Sequence, residues 1–132
     1  MVKRHTTQER TVRMGYVDGF LLPIQKKNIQ RYRQIARQAE KIWREHGALD
    51  YKECVGDDLM TKMGVPFPKS AKAKTGETVI FAYIVYKSRT HRDRVNAKVM
   101  KDPRMHSMGD PKDMPFDCKR MAYGGFKVLV GA

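Results

Sequence analysis

Eight consecutive apolar residues, Val79-Ile-Phe-Ala-Tyr-Ile-Val-Tyr86, form the strongest pattern in the chain. A run of this length, rich in β-branched and aromatic side chains, predicts a strand that is apolar on both faces. Tyr16 to Leu22 predicts an earlier strand, stopped by Pro23, which cannot donate to a ladder. From Lys27 to His46, Ile29, Tyr32, Ala36, Ala39 and Ile42 recur at helical spacing while Arg33, Arg37, Lys41 and Arg44 take the other side. That is an amphipathic helix, with Gly47 as its left-handed stop. Leu49 to Val55 alternates more nearly, as an edge strand does.

A connection over residues 57–77 leads into the strand Thr78–Tyr86. Ser88 then caps a basic helix running to Lys101, with a narrow apolar stripe of Val95, Val99 and Met100 and with Pro103 helping to end it. A second loop, 102–118, precedes a last strand over Arg120–Val130, where Gly124-Gly125 suggests a bulge or close approach by another backbone.

The element order is βαββαβ, which predicts an α+β, ferredoxin-like sheet with two helices on one face and strands one and three in the middle. Period two divides the first strand into Val17, Gly19, Leu21 and Tyr16, Asp18, Phe20, Leu22. The smaller set is expected beneath the helices, with Gly19 making room. The larger set, with Phe81, Tyr83 and Val85, is expected on the uncovered face. Burying ten or so such side chains is worth more than ~10 kcal/mol gross. A homodimer paired through this face would hide it and enclose a cavity for a small-molecule ligand. Tyr16, Phe20, Glu53, Phe81, Tyr83 and Tyr123 are the candidate lining.

Composition narrows the classes. The 132 residues suit one domain, expected over 14–132, and 41% hydrophobic with 31% charged residues describes a globule, not a disordered chain. No apolar run approaches the ~20 residues of a membrane span, and residues 1–13 lack a signal-peptide core, so a cytoplasmic protein is expected. Cys54 and Cys118 have no CxxC spacing and read as free thiols. The formal charge is +13; residues 1–13 carry +3 of it and read as a basic, disordered extension. The remaining +10 raises nucleic acid as the competing partner, through a broad basic helical face. No reader helix or base-stacking motif supports it.

Several segments carry a family resemblance: Tyr16-Val-Asp-Gly-Phe20, Trp43-Arg-Glu-His-Gly-Ala-Leu49, Val85-Tyr-Lys-Ser-Arg89, His91 to Met100, Met114-Pro-Phe-Asp117 and Tyr123-Gly-Gly-Phe-Lys-Val128. Together they resemble the YbaA-like proteins, a bacterial family of unknown function, over roughly residues 15–130. The resemblance implies the dimeric α/β-barrel superfamily, in which ferredoxin-like protomers pair through their sheets. Relatives there include cofactor-independent monooxygenases, haem-degrading enzymes and isomerase-like proteins. It brings no established catalytic residues.

Among single residues, Asp18 stands out as a carboxylate in a central strand. Burial would raise its pKa, fitting a general base, while a structural hydrogen bond or an ion pair across the dimer is the other reading. Glu53, on the face of Tyr51, is a second carboxylate. His46 reads as a helix C-cap. His91 with Arg92, in the first turn of the basic helix, is either solvent-exposed or an anion site. Met105-His-Ser-Met108 and Met114 offer soft ligands, but the loose spacing favours a lid or gap-filling methionines. No metal or cofactor is expected, since zinc spacing, a P-loop and a dinucleotide fingerprint are all lacking.

Overall fold

A strand apolar on both faces has to lie inside a sheet, and the run 79–86 does. In a computed structural model that describes residues 15–131, it belongs to β3 (Glu77–Tyr86), flanked by β1 (Tyr16–Gln25) and β2 (Asp50–Val55). With β4 (Ala122–Lys127) on the far side of β1, the order is β2-β3-β1-β4, every neighbour antiparallel. Among the described residues, four α-helices complete the α+β fold, beside short 3-10 turns: α1 (Ile29–Glu45), the short α2 (Phe67–Ser70), α3 (Arg89–Lys101) and the short α4 (Pro103–His106). Ala39 and Ile42 of α1 and Val95 and Val99 of α3 share one core cluster with Tyr16, Ile84 and Tyr86, so both long helices lie on the same face. The central position of β1 and β3 and the edge position of β2 are as expected. The basic stretch 1–13, expected to be a disordered extension, lies outside the described residues.

Two local expectations change, and a third stands. β1 does not stop at Pro23 but continues to Gln25. Its pairing with β4 ends at Leu21, so beyond that point one side of β1 has no neighbouring strand and a missing N–H is tolerated. The glycines of β4 make no bulge; the register is continuous from Lys127 to Ala122. Gly125 is instead required by a side chain: a Cβ there would lie 2.7 Å from the Tyr16 ring. Pro103 ends α3 by opening α4, whose first turn is capped by the carboxylate of Asp102 bonding Arg104 N.

The assignment of faces in β1 is reversed. Tyr16, Asp18, Phe20 and Leu22 lie beneath the helices; Val17, Gly19 and Leu21 share the open face with Phe81, Tyr83 and Val85, to which they are paired. The physical reason is volume. Helices stand off from a sheet, and large residues fill that gap, whereas the small residues of the open face leave a trough.

The long segment from Asp102 to Met121 folds back over α1. Asn28 Nδ2 donates to the Pro115 carbonyl at 3.0 Å, and Phe116 meets the Tyr32 ring edge-on at 5.6 Å. Its far end is tied to β3 by Arg120, which donates to both oxygens of Glu77 at 2.7 and 2.8 Å. Those bonds, helped by the Lys74 N–H, pull the Glu77 carboxyl from 4.5 down to about 2. A pKa depressed on folding adds stability that is present above the unfolded value and lost as pH falls through the folded one. Between pH 4.5 and 2, therefore, the melting temperature of Glu77→Gln should fall less steeply than that of the wild type. Parallel curves in thermal melts across that range would contradict this tether.

Candidate functional site

Two tyrosines at core positions must find partners for their hydroxyls, and both find the same carboxylate. Tyr32, on the buried face of α1, donates to Glu53 Oε1 at 2.6 Å; Tyr51, two residues before Glu53 on β2, donates to Oε2 at 2.8 Å. Burial raises the Glu53 pKa above its usual value, while the two hydroxyl donors pull it back. Burial and the neighbouring Glu53 charge in turn push both phenols up. The result is a proton acceptor held between two donors and partly shielded from bulk water.

This trio separates two cavities that share Tyr32, Ala36, Tyr51 and Glu53. The inner one, a chamber of about 320 Å³, lies between α1 and the sheet and is walled by Leu22, Ala39, Trp43, Met114, Phe116 and Met121. The outer one, a vestibule of about 360 Å³, opens between α1 and the edge strand β2, with Arg33, Arg37 and Lys52 on its walls. Ala36 makes both possible, because a longer side chain there would fill the gap between helix and strand. The arrangement suits an organic molecule with an apolar body, offered a base and two hydrogen-bond donors at one end.

Asp18 has a different setting. It is 1% exposed, beneath α3, and accepts from Arg92 Nη1 at 2.6 Å and from the Tyr123 hydroxyl at 3.4 Å. Burial raises its pKa, opposed by the charge and hydrogen bond of Arg92 and by bonds from Tyr123 and Asn96. Asn96 Oδ1 also accepts from Trp43 Nε1 at 3.2 Å and from the Tyr86 hydroxyl at 3.3 Å, and Arg92 lies 5.0 Å from the centre of the Tyr16 ring. Five elements meet in this network, which explains how α3 stays docked with only Val95 and Val99 buried. Asp18 lines neither the chamber nor the vestibule.

The remaining sequence candidates scatter. Glu53 and Phe20 reach the chamber, whereas Phe81 and Tyr83 face the opposite side of the sheet. Tyr16 and Tyr123 join Asp18 on the helix side, Tyr123 stacking on Phe20 at 4.9 Å. The His91 backbone N–H bonds Ser88 Oγ at 3.1 Å and its Nδ1 accepts from Lys87 N at 2.9 Å, so this turn is occupied by its own cap; burial and the nearby Lys87, Arg94 and Lys98 lower the imidazole pKa. His46 closes α1 and bonds Asp102 at 2.7 Å. Met105 and Met114 pack along the chamber wall. Among the described residues, no group of three or more His, Cys, Asp and Glu could hold a metal, and no helix is long and apolar enough to cross a membrane. Tyr32, Tyr51 and Met121 are the participants that pattern reading had absorbed into the core or passed over. The usable signal was the phenol itself, since two tyrosines at buried positions call for an acceptor and Glu53 is the acid nearest to Tyr51 on the same face of the strand.

Comparison with known proteins gives consistent relatives. "Uncharacterized protein YbaA" of Escherichia coli (strain K12) is 40% identical over 117 residues, covering 89% of this chain and 98% of that one. The proteins of the same description from Escherichia coli O157:H7 and Shigella flexneri match to the same extent. Among solved structures, the de novo designed protein Foldit4 aligns over 89% of this chain and 99% of its own, at 9% identity and a TM-score of 0.39, too distant to carry an argument. A family model described as "Protein of unknown function (DUF1428)" matches residues 15–118, and with the 40% identity to YbaA this establishes that the chain belongs to the DUF1428 family.

Proposed function

We propose that this protein binds a small, largely apolar organic molecule in the chamber beneath α1 and acts on it by cofactor-free proton transfer. The observation that carries the reading is the Glu53 carboxylate held between the Tyr32 and Tyr51 hydroxyls at the mouth of that chamber. For a ligand with a carbonyl, Glu53 takes a proton from the adjacent carbon and the C–H electron pair moves into the C–C bond as the carbonyl π pair moves onto oxygen. A neutralised Glu53 holds the tyrosines less strongly, freeing a hydroxyl to donate to the new oxyanion; returning the proton to oxygen gives the enol, and returning it to the same carbon regenerates the ketone with that hydrogen exchanged.

The probe is 4-phenyl-2-butanone. The wild type should bind it in calorimetry and speed exchange of the protons beside its carbonyl in D2O. Glu53→Gln should retain binding while exchange falls by ~10²–10⁴. Binding without acceleration would reduce the protein to a ligand binder; absence of binding would remove the chamber from consideration.

The assembly belongs to the same proposal. The open sheet face forms a trough of about 640 Å³ with Leu21, Phe81, Tyr83, Ala122 and Phe126 along it. Four strands spaced ~4.8 Å apart and six to ten residues long present a flat area of roughly 500 Å², to which the relief of the side chains and Phe67 of α2 add, against the ~800 Å² per partner of an ordinary stable interface. A second copy of the chain, sheet to sheet, is the occupant we assign, giving a ferredoxin-like dimeric barrel. The exposed thiols Cys54 and Cys118 suit a reducing compartment such as the cytoplasm. Generic RNA binding draws less support, because Arg92 is turned inward to Asp18 and Arg44 is tied to Glu40 and Asp50.

A further inference from the structure

The vestibule also specifies the charge of the ligand. Its wall carries Arg33, Arg37 and Lys52 against Glu40 and Glu53. Two of these charges are matched from outside: Lys52 by Asp50 at 2.8 Å, and Glu40 by Arg44 at 3.1 Å. What remains on that wall is Arg33, Arg37 and Glu53, an excess of one positive charge. The two guanidiniums stand one turn apart on α1, so they flank Ala36, one of the four residues that line both cavities. Among the described residues, Arg33 bonds only the neutral Gln30 at 3.0 Å, and Arg37 has no ion pair.

We infer that the ligand is a monoanionic amphipathic acid, its apolar body in the chamber and its carboxylate held in the vestibule by Arg33 and Arg37. Such a ligand brings the vestibule to neutrality and gives the arginines a charge-assisted partner that the described residues do not supply. Glu53 then sits beside the middle of the bound molecule, with the charged end turned away from the apolar walls. This rests on the chamber being the binding site.

The test compares 4-phenylbutyrate with its neutral analogue 4-phenyl-1-butanol by calorimetry, with carbon-13 methyl NMR of the methionines reporting whether the chamber fills. The wild type should bind the acid ~10-fold more tightly than the alcohol, the size of one good charge-assisted contact. The double variant Arg33→Gln/Arg37→Gln, altered only at exposed positions, should lose that preference while its affinity for the alcohol stays within twofold. Arg94→Gln/Lys98→Gln, on the other helix, should keep it, separating a local site from the general positive charge. Equal affinities in the wild type, or a preference that survives in the Arg33/Arg37 variant, would overturn the inference while shifted Met114 and Met121 methyls left the chamber standing. If neither probe binds or moves those methyls, the chamber reading fails and takes this one with it.

Discussion

Replacing Asp18 with alanine should lower the unfolding free energy by up to about 3–5 kcal/mol, because it leaves a largely buried arginine with only the exposed Asp93, bonded to its Nε at 2.8 Å, as counter-charge. Arg92 is only 13% exposed at its side chain and cannot simply swing into water while it spans the Tyr16 ring. Asn96 and Tyr123 lose an acceptor in the same stroke. Against the ~5–15 kcal/mol that holds an ordinary domain together, such a loss is large enough to unfold much of the population at modest temperature. Asp18→Asn keeps an oxygen for Arg92 and should cost less. The double variant Asp18→Leu/Arg92→Leu should recover part of the loss, since burying neither charge is cheaper than burying one. Urea denaturation of the four proteins decides it. A cost for Asp18→Ala near zero would mean that the network is slack, and would return Asp18 to consideration as a free acid–base group.

Introducing aspartate at Phe81 and Phe126 together should turn the protein into a monomer. These rings are 46% and 62% exposed on the open sheet face, so the substitutions leave the protomer's own core untouched. Within a paired interface each would bury a charge against apolar neighbours, costing several kcal/mol apiece, or roughly a thousandfold or more in dimer affinity for the pair. Sedimentation velocity at micromolar concentration should give the mass of two chains for the wild type and one for the variant, with unchanged circular dichroism. A wild type that sediments as one chain at those concentrations would remove the sheet-to-sheet dimer, while the chamber beneath α1, which lies within a single protomer, would remain.

The sites differ in how far they could be read in advance. Glu53 was visible as an acid on the face of Tyr51, yet its meaning depended on Tyr32, twenty-one residues away and brought to it by the packing of α1 on β2. Asp18 was visible as an anomaly in a central strand. Arg92 and Asn96, which explain it, lie seventy-four and more residues further on, and no local pattern pairs them. The chamber depends on Ala36 and on a proline-punctuated segment folding back over α1, and nothing in that segment's residue order announces where it will lie.

What the residue order determines by itself is the four strands, the two long helices and their topology, through helical and strand periodicities, their alternation, and a β3 apolar enough to belong in the middle; the short α2 and α4 fall in stretches that read as connections. Periodicity also establishes which side chains share a face. It cannot say which face meets the helices when both are apolar, as they are in β1 and β3. That was decided in three dimensions, where α3 brings Arg92 and Asn96 to Asp18 and where only the larger set, Tyr16, Phe20 and Leu22, fills the space between sheet and helices. Burial of a charge is tolerable only beside its partner, and partners distant in the chain become neighbours only once the fold has closed.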